Sequence, residues 1–182
     1  PAAFFGVGIY TSAILGKELP VLAVVVLGGL FSAILAALVG AITLRLRGIY
    51  FIVFTFGLVL LIISLLLWYE IKFTGTRGRF IIGADNEFIY YVMLGIVVLL
   101  FITAYFIKRS KYGLALQSIG QNEEAAAHMG INVTGVKITI FAISAVFMGM
   151  AGAIMAMKWT YLDPYSAFDV FLSFLPVLMA FF

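Results

Sequence analysis

"LPVLAVVVLGGLFSAILAALVGAITL", Leu19 to Leu44, runs its whole length without an ionisable side chain. A helix rises 1.5 Å per residue, so about 20 apolar residues cross a hydrocarbon core of about 30 Å. This stretch is long enough and apolar enough to do so. Its small residues are also ordered: Gly28, Ser32, Ala36 and Gly40 recur at one spacing, and Gly29, Ala33, Ala37 and Ala41 form a second row beside them. Residues four apart share a helix face. In lipid, apolar burial does not drive helices together, and close backbone approach through small residues takes its place. The segment therefore reads as a transmembrane helix built to be packed on others. That implies an all-α, polytopic helix bundle rather than a single anchor.

The rest of the chain agrees. Of its 182 residues, 65% are hydrophobic and 10% charged, and the mean hydropathy is +1.21. A water-soluble domain carries about 25% charged residues, so the solvent here is mostly lipid. Three further segments reach spanning length without an internal charge: Gly48 to Tyr69, Phe88 to Ile107, and Ile138 to Met157. The last repeats the small-residue pattern with Ala145, Gly149 and Ala153, and with Gly152 and Ala156 beside them. Two partial segments remain. Pro1 to Leu15 is too short to span, and Val170 to Phe182 stops with the chain. The first contains Gly6 and Gly8, and is expected to be the end of a truncated span, the alternative being a broken, re-entrant helix. The chain begins at Pro1 and stops inside an apolar run, so one transmembrane domain over residues 1–182, truncated at one or both ends, is the expected organisation.

Several function classes lose support. The net charge of +3 is small and scattered, which argues against nucleic acid as a partner. With no cysteine there are no disulfides and no Cys-based metal sites. Nothing resembles a signal peptide. No GxxxxGK[ST] loop occurs, so this chain is not expected to bind ATP itself. His128 has no second His nearby and reads as an exposed helix residue rather than a metal ligand. Intramembrane charges usually mark proton relays, ion ligands or voltage sensors, and the four spans hold none. Thr55, Ser64, Thr103 and Ser144 are expected to bond back to their own helices. Asn132-Val133-Thr134 matches a glycosylation triplet that arises often by chance. A membrane enzyme is thus poorly supported, and no cofactor is expected in this chain. A passive bundle moving something under external power is better supported.

Strict alternation puts Arg45, Arg47, Lys108, Arg109, Lys111 and Lys137 on one side, with Glu123 and Glu124. Lys17, Lys72, Arg77, Arg79 and Lys158 lie opposite, with the remaining acids. The side that carries GQNEEAAAHMGINVTG is assigned as cytoplasmic; its six Lys and Arg against five add little to that. Trp68, Tyr69, Trp159 and Tyr161 then form an outer aromatic belt.

The cytoplasmic loop, residues 108–137, holds the chain's one long polar stretch, GQNEEAAAHMGINVTG. After KRSKYG leaves the membrane, Gly113 is expected to turn the chain and Gly120 to break it. Asn122 is a good N-cap. Glu123 and Glu124 follow in the first turn, where carboxylates favour the positive end of the macrodipole. Gly130 is a natural stop. The helix, about 122–129, is too short to stand alone, since isolated helices need about 12 to 15 residues. It is read as a docking plug, with Glu123 and Glu124 for basic groups of a partner and Ala125, Ala126 and Met129 for a shallow groove.

EAAAHMG, Glu124 to Gly130, resembles the Glu-Ala-Ala-x-x-x-Gly core of the cytoplasmic loop in permease subunits of bacterial ABC importers. Ile140 falls at that family's later Ile position, whereas Ala142 and Ile143 stand where Leu-Pro is expected. AAFFGVGIYTSAIL, LRLRGIYFIVFTFG, SKYGLALQSIGQNEEAAAHMGINVTGVK and SAVFMGMAGAIMA, in that order and followed by DVFLSFLPVLMA, are similar to branched-chain amino-acid permeases of the LivM type. FTGTRGRF departs from the uncharged or acidic loop usual there. The resemblance implies a second permease subunit, two cytoplasmic ATPase subunits that bind the ATP, and a periplasmic or surface substrate-binding protein, all at a bacterial or archaeal inner membrane. It implies that the short helix is a coupling helix seated in the ATPase. A urea or short-chain amide permease is the alternative within the class, and a secondary transporter or channel lies outside it. Irregular backbone in a membrane is tolerated only where buried in protein or lining a cavity. On that rule Phe4, Gly6 and Gly8, with Thr55 and Gly57, are the expected substrate path.

Overall fold

The computed structural model describes the chain except Pro1, Lys17, Arg45 to Gly48, Thr76 to Gly78, Ile82, Thr160, Asp169 to Val177 and Ala180 to Phe182. The side assignment used Lys17, Arg45, Arg47 and Arg77, and these lie outside the described residues, as does most of the expected span Val170 to Phe182. The helices are α1 (Ala2–Leu15), α2 (Val21–Thr43), α3 (Ile49–Tyr69), α4 (Asn86–Arg109), α5 (Lys111–Gln121), α6 (Glu123–His128), α7 (Val133–Ala156) and α8 (Pro164–Ala167). Four of them, with α3 continuing to Lys72, are long and apolar enough to cross a membrane. They match the four expected spans to within a few residues. The chain is a multi-pass, all-α bundle. Its only strand pairing among the described residues is a short antiparallel one, β1 (Arg79–Phe80) on β2 (Tyr161–Leu162), which ties together the two loops at one end.

The bundle is organised on α1, α2 and α7. Gly28, Ser32, Ala36 and Gly40 of α2 are all buried, as are Ala145, Gly149, Gly152, Ala153 and Ala156 of α7. The second row of α2 is only partly used: Gly29 is buried against Met150 and Val146, whereas Ala41 is exposed. Gly149 lies where the three helices meet. A Cβ there would overlap the Ser32 hydroxyl and the Gly28 carbonyl, and a Cβ on Gly8 would overlap the Gly149 carbonyl. Gly152 likewise lies against the Phe5 carbonyl. Ser32 Oγ donates to the Phe4 carbonyl at 2.8 Å, a buried hydrogen bond between α2 and α1. In membrane proteins such a bond contributes about 0.6 kcal/mol on average. Close approach, rather than this bond, holds the crossing.

α1 is a continuous helix, buried along most of its length. Gly6 and Gly8 do not break it. The Phe168 ring covers Gly6, and α7 covers Gly8. Their role is to admit neighbours, which a glycine in a helix provides as readily as a glycine in a bend. Val59 and Ile63 of α3 share a buried cluster with Ile9 and Tyr10 of α1, and Ile89 and Ile96 of α4 share one with Phe147 and Ile154 of α7. The outer two spans therefore touch the core through long side chains, and most of their surface faces outward.

The hydroxyl readings hold for Ser64, Thr103 and Ser144, which donate to the carbonyls of Leu60, Leu99 and Phe141 at 2.9, 2.8 and 2.8 Å. The expected aromatic belt is exposed at Trp68, Tyr69 and Tyr161, and Lys72 Nζ sits 4.7 Å above the Trp68 ring. At the other membrane face Arg109 makes the same contact with Tyr105, also at 4.7 Å. Glu70 differs from its expected place in a polar loop. It is 1% exposed, at the start of a π-helical turn, Glu70–Thr74, that closes with Gly75 at φ +70°.

The crossing gives a direct test. Gly149→Ala should destabilise the folded protein in detergent by about 1–3 kcal/mol through overpacking. Gly95→Ala, on a face of α4 with nothing within 4 Å, should leave thermal unfolding unchanged.

Candidate functional site

The polar connection between α4 and α7 is almost entirely helical. α4 passes to α5 through Ser110 alone, whose Oγ donates to the Ile107 carbonyl at 2.8 Å. So sharp an elbow needs Gly113, because a Cβ there would approach the Ile107 and Lys108 carbonyls at 2.5 and 2.6 Å. Gly113 was expected as a turn and Gly120 as a break, but both lie within α5. Gly113 acts through its missing Cβ, and Gly120 has a negative φ like its helical neighbours. The break falls two residues later, at Asn122, which is extended at φ −157°, ψ 112°.

From there every junction is capped. Asn122 Oδ1 accepts from Glu124 N and Ala125 N at 3.0 and 3.1 Å and starts α6. Gly130, at φ +81°, ends it as expected. Its N–H bonds the Ala127 carbonyl at 3.0 Å, and Ile131 N–H bonds the Ala126 carbonyl at 3.2 Å. These two bonds form the Schellman arrangement, which a left-handed residue makes possible. Asn132 Oδ1 then accepts from Gly135 N at 3.0 Å and starts α7. The sequence required something to hold so short a helix, and its own chain supplies part of that. Ala126 is fully buried, at 0% exposure.

This corrects the expected docking set. Glu124, Ala125, Met129 and Gly130 lie on the outward surface, and Met129 is 68% exposed. Ala126 is buried within the chain itself. Glu123 Oε2 lies 2.8 Å from Lys137 Nζ on α7, so this carboxylate already has a basic group within the chain. His128 is exposed in the last turn of α6. Along α5, Tyr112 and Leu114 are exposed apolar side chains that the loop reading passed over.

The expected path residues are not gathered in one place. Phe4 packs edge-on against Phe141, ring centroids 5.3 Å apart, in a cluster with Ala36 and Ala145. Gly6 and Gly8 are buried packing contacts in α1. Thr55 and Gly57 are in α3, where Gly57 has nothing within 4 Å. Both stretches are regular helix, so the irregular backbone that suggested them is absent. A cleft of about 580 Å³ lies elsewhere, between α4 and α7, with Phe5 of α1 at its wall and Ile96, Thr103, Ser144 and Phe147 among its lining. Both hydroxyls donate to their own helices, so the cleft is an apolar surface. No sequence signal marked it, because the residues of α4 that line it look like those that face outward.

Among the described residues, no group of three or more His, Asp or Glu is placed to hold a metal ion. The outward face of α6 is polar and carried by a helix with a cap at each end. Residues 2–182 match the family model described as branched-chain amino acid transport system / permease component. The chain belongs to this permease family. It is similar to the high-affinity branched-chain amino acid transport system permease protein LivM of Salmonella typhimurium (strain LT2), at 29% identity over 198 residues, covering 90% of this chain and 46% of the relative. LivM of Escherichia coli (strain K12) is 27% identical over 197 residues with the same coverage. The guanosine ABC transporter permease protein NupQ of Bacillus subtilis (strain 168) is 29% identical over 154 residues, covering 76% of this chain and 48% of the relative. The chain spans about half the length of the curated relatives it matches. No solved structure matches it. The family is one of transport permeases, not of enzymes.

The caps around α6 are testable by amide hydrogen exchange. Removing an Asn cap costs about 0.5–2 kcal/mol. Asn122→Ala should therefore speed exchange across Glu124 to Ile131 by about 2- to 30-fold, and should leave α7 beyond Val136 at its wild-type rate.

Proposed function

We propose that this chain is part of the permease subunit of an ATP-driven importer for branched-chain amino acids in a bacterial or archaeal cytoplasmic membrane. Its α6 is the element that docks the ATPase. The observation that carries this reading is the outward face of α6, with Glu124, Ala125 and Met129 exposed on a helix capped at both ends, in a chain of the branched-chain permease family. A docking element must meet its partner without deforming, and the caps give a short helix that property.

In this reading the pathway is shared with a second permease subunit, and a substrate-binding protein delivers the amino acid to the outer face. Two ATPase subunits bind ATP and close. Their motion displaces α6, and the bundle exchanges inward- and outward-facing arrangements. Glu124 supplies a carboxylate for a basic group of the ATPase, while Ala125 and Met129 seat in an apolar groove. A ligand shifts such an equilibrium only by its differential affinity for the two states. ATP supplies that difference through the partner, because this chain shows no phosphate-binding loop. The bundle contributes alternation, and the partners contribute power and delivery.

The likeness to a guanosine permease favours one second reading, in which the same machinery carries a nucleoside. The two share the docking argument and differ only in cargo. Uptake of labelled leucine and labelled guanosine in cells lacking the full-length gene separates them. Loss of leucine uptake alone is the expected result, and loss of guanosine uptake alone would replace the substrate while keeping the mechanism. In the same cells, full-length protein carrying Glu124→Lys with Gly130→Leu should insert normally in the membrane yet give no uptake above background. Normal uptake by that variant would overturn the docking role of α6.

A further inference from the structure

The two adjacent carboxylates of α6 have different surroundings. Glu124 is exposed on the outward face, whereas Glu123 Oε2 is 2.8 Å from Lys137 Nζ in the early turns of α7. We propose that the Glu123–Lys137 ion pair latches the docking helix to α7, making Lys137 a positioning residue that routes the partner's stroke into the α1–α2–α7 core. The proposal rests on the docking reading of α6 and deepens it.

The connections on either side of α6 are unequal. Towards α5 it is joined through one extended residue, Asn122. Asn122 is held to α5 by its N–H on the Ser118 carbonyl and to α6 by its Oδ1 cap, so any change of angle between the two helices falls on its own φ and ψ. Towards α7 the chain is fixed by the Gly130 turn, by its bonds to Ala126 and Ala127, by the Asn132 cap, and then by the ion pair spanning back from Lys137 to Glu123. The ion pair closes a loop around these local bonds and holds α6 at one angle to α7. A push on α6 is then delivered along α7 rather than lost in bending at Asn122.

What α7 does with that push follows from its packing. At Gly149 and Gly152 its backbone lies against the Gly28 carbonyl and Ser32 side chain of α2 and the Phe5 carbonyl of α1. Packing this close couples the three helices to one another more tightly than side-chain contacts would. α4 meets α7 through Ile89, Ile96 and the walls of the apolar cleft. Flexible side chains there allow relative displacement. The stroke is thus expected to move α1, α2 and α7 together against α4. The pair itself is partly exposed, 27% and 41% for the two side chains. Pairs of that kind add little to stability, so the contribution of Lys137 is direction rather than strength.

Charge exchange tests this in the assembled transporter. The full-length permease, reconstituted in vesicles with its ATPase and binding protein, is assayed for ATPase co-purification and for substrate moved per ATP hydrolysed. Glu123→Lys and Lys137→Glu should each keep the ATPase bound but lower that ratio by up to about five-fold, the most that a partly exposed ion pair supplies. Combining them rebuilds the pair with its charges reversed and should restore the ratio to within about two-fold, as expected for residues coupled to each other. Lys137→Gln, with unchanged thermal unfolding, should show the loss without a reversed charge. A wild-type ratio in Lys137→Glu, or a double variant no better than the singles, would overturn the latch. Should Glu123→Lys instead release the ATPase, with no recovery on adding Lys137→Glu, Glu123 is a direct docking contact and the latch falls while the docking reading stands. The docking reading itself fails separately, through normal transport by the Glu124→Lys, Gly130→Leu variant.

Discussion

The bundle depends on one constraint: three backbones must pass the same point. At Gly149 the helices α1, α2 and α7 come so close that neither Gly8, Gly28 nor Gly149 has room for an ordinary side chain without displacing its neighbours. Lipid does not drive helices together by hydrophobic exclusion, so dispersion between closely packed atoms and the Ser32–Phe4 hydrogen bond must do so. Every other relationship is set from this crossing. It fixes α1 as a buried helix, orients α7 so that α6 projects from one end, and leaves α3 and α4 to pack on the outside through Val, Ile and Phe. The resulting division, a tight inner triad and looser outer spans, suits a protein whose parts must move relative to one another.

The fold was legible because its signal is long. A lipid-spanning helix announces itself over many apolar residues, and a packing face repeats its small residues along Gly28, Ser32, Ala36 and Gly40 and again along Ala145, Gly149 and Ala153. The caps of α6 were legible for a different reason. Asn122 and Gly130 each satisfy a local backbone requirement, so their types suffice to place them.

What was not legible depends on neighbours distant in sequence. Gly6 and Gly8 suggested irregular backbone because a glycine that admits α7 and one that bends the chain look identical in sequence. Gly113 and Gly120 failed in the same way, and α5 was missed with them. Glu70 looked like a loop residue, since nothing nearby in sequence declares its burial at the π-helical turn. Of the docking residues, Ala125 and Ala126 are chemically the same. Which of them faces inward is decided by the angle between α6 and the chain beneath it. Glu123 and Glu124 are separated only by Lys137, whose partner no local pattern names.

The local capping of α6 has an evolutionary consequence. Asn122, the Gly130 turn and Asn132 shape this helix with bonds that stay within the polar connection, and Ala126 and the Glu123–Lys137 pair anchor it to the rest. Its outward positions, Glu124, Ala125, Ala127, His128 and Met129, are therefore free to change without disturbing a single contact in the α1–α2–α7 crossing. Selection can remodel the partner-facing surface and the transmembrane interior as separate traits. A duplicated copy of such a chain could acquire a new energising partner through a handful of surface substitutions, while its interior drifted toward another cargo on its own schedule.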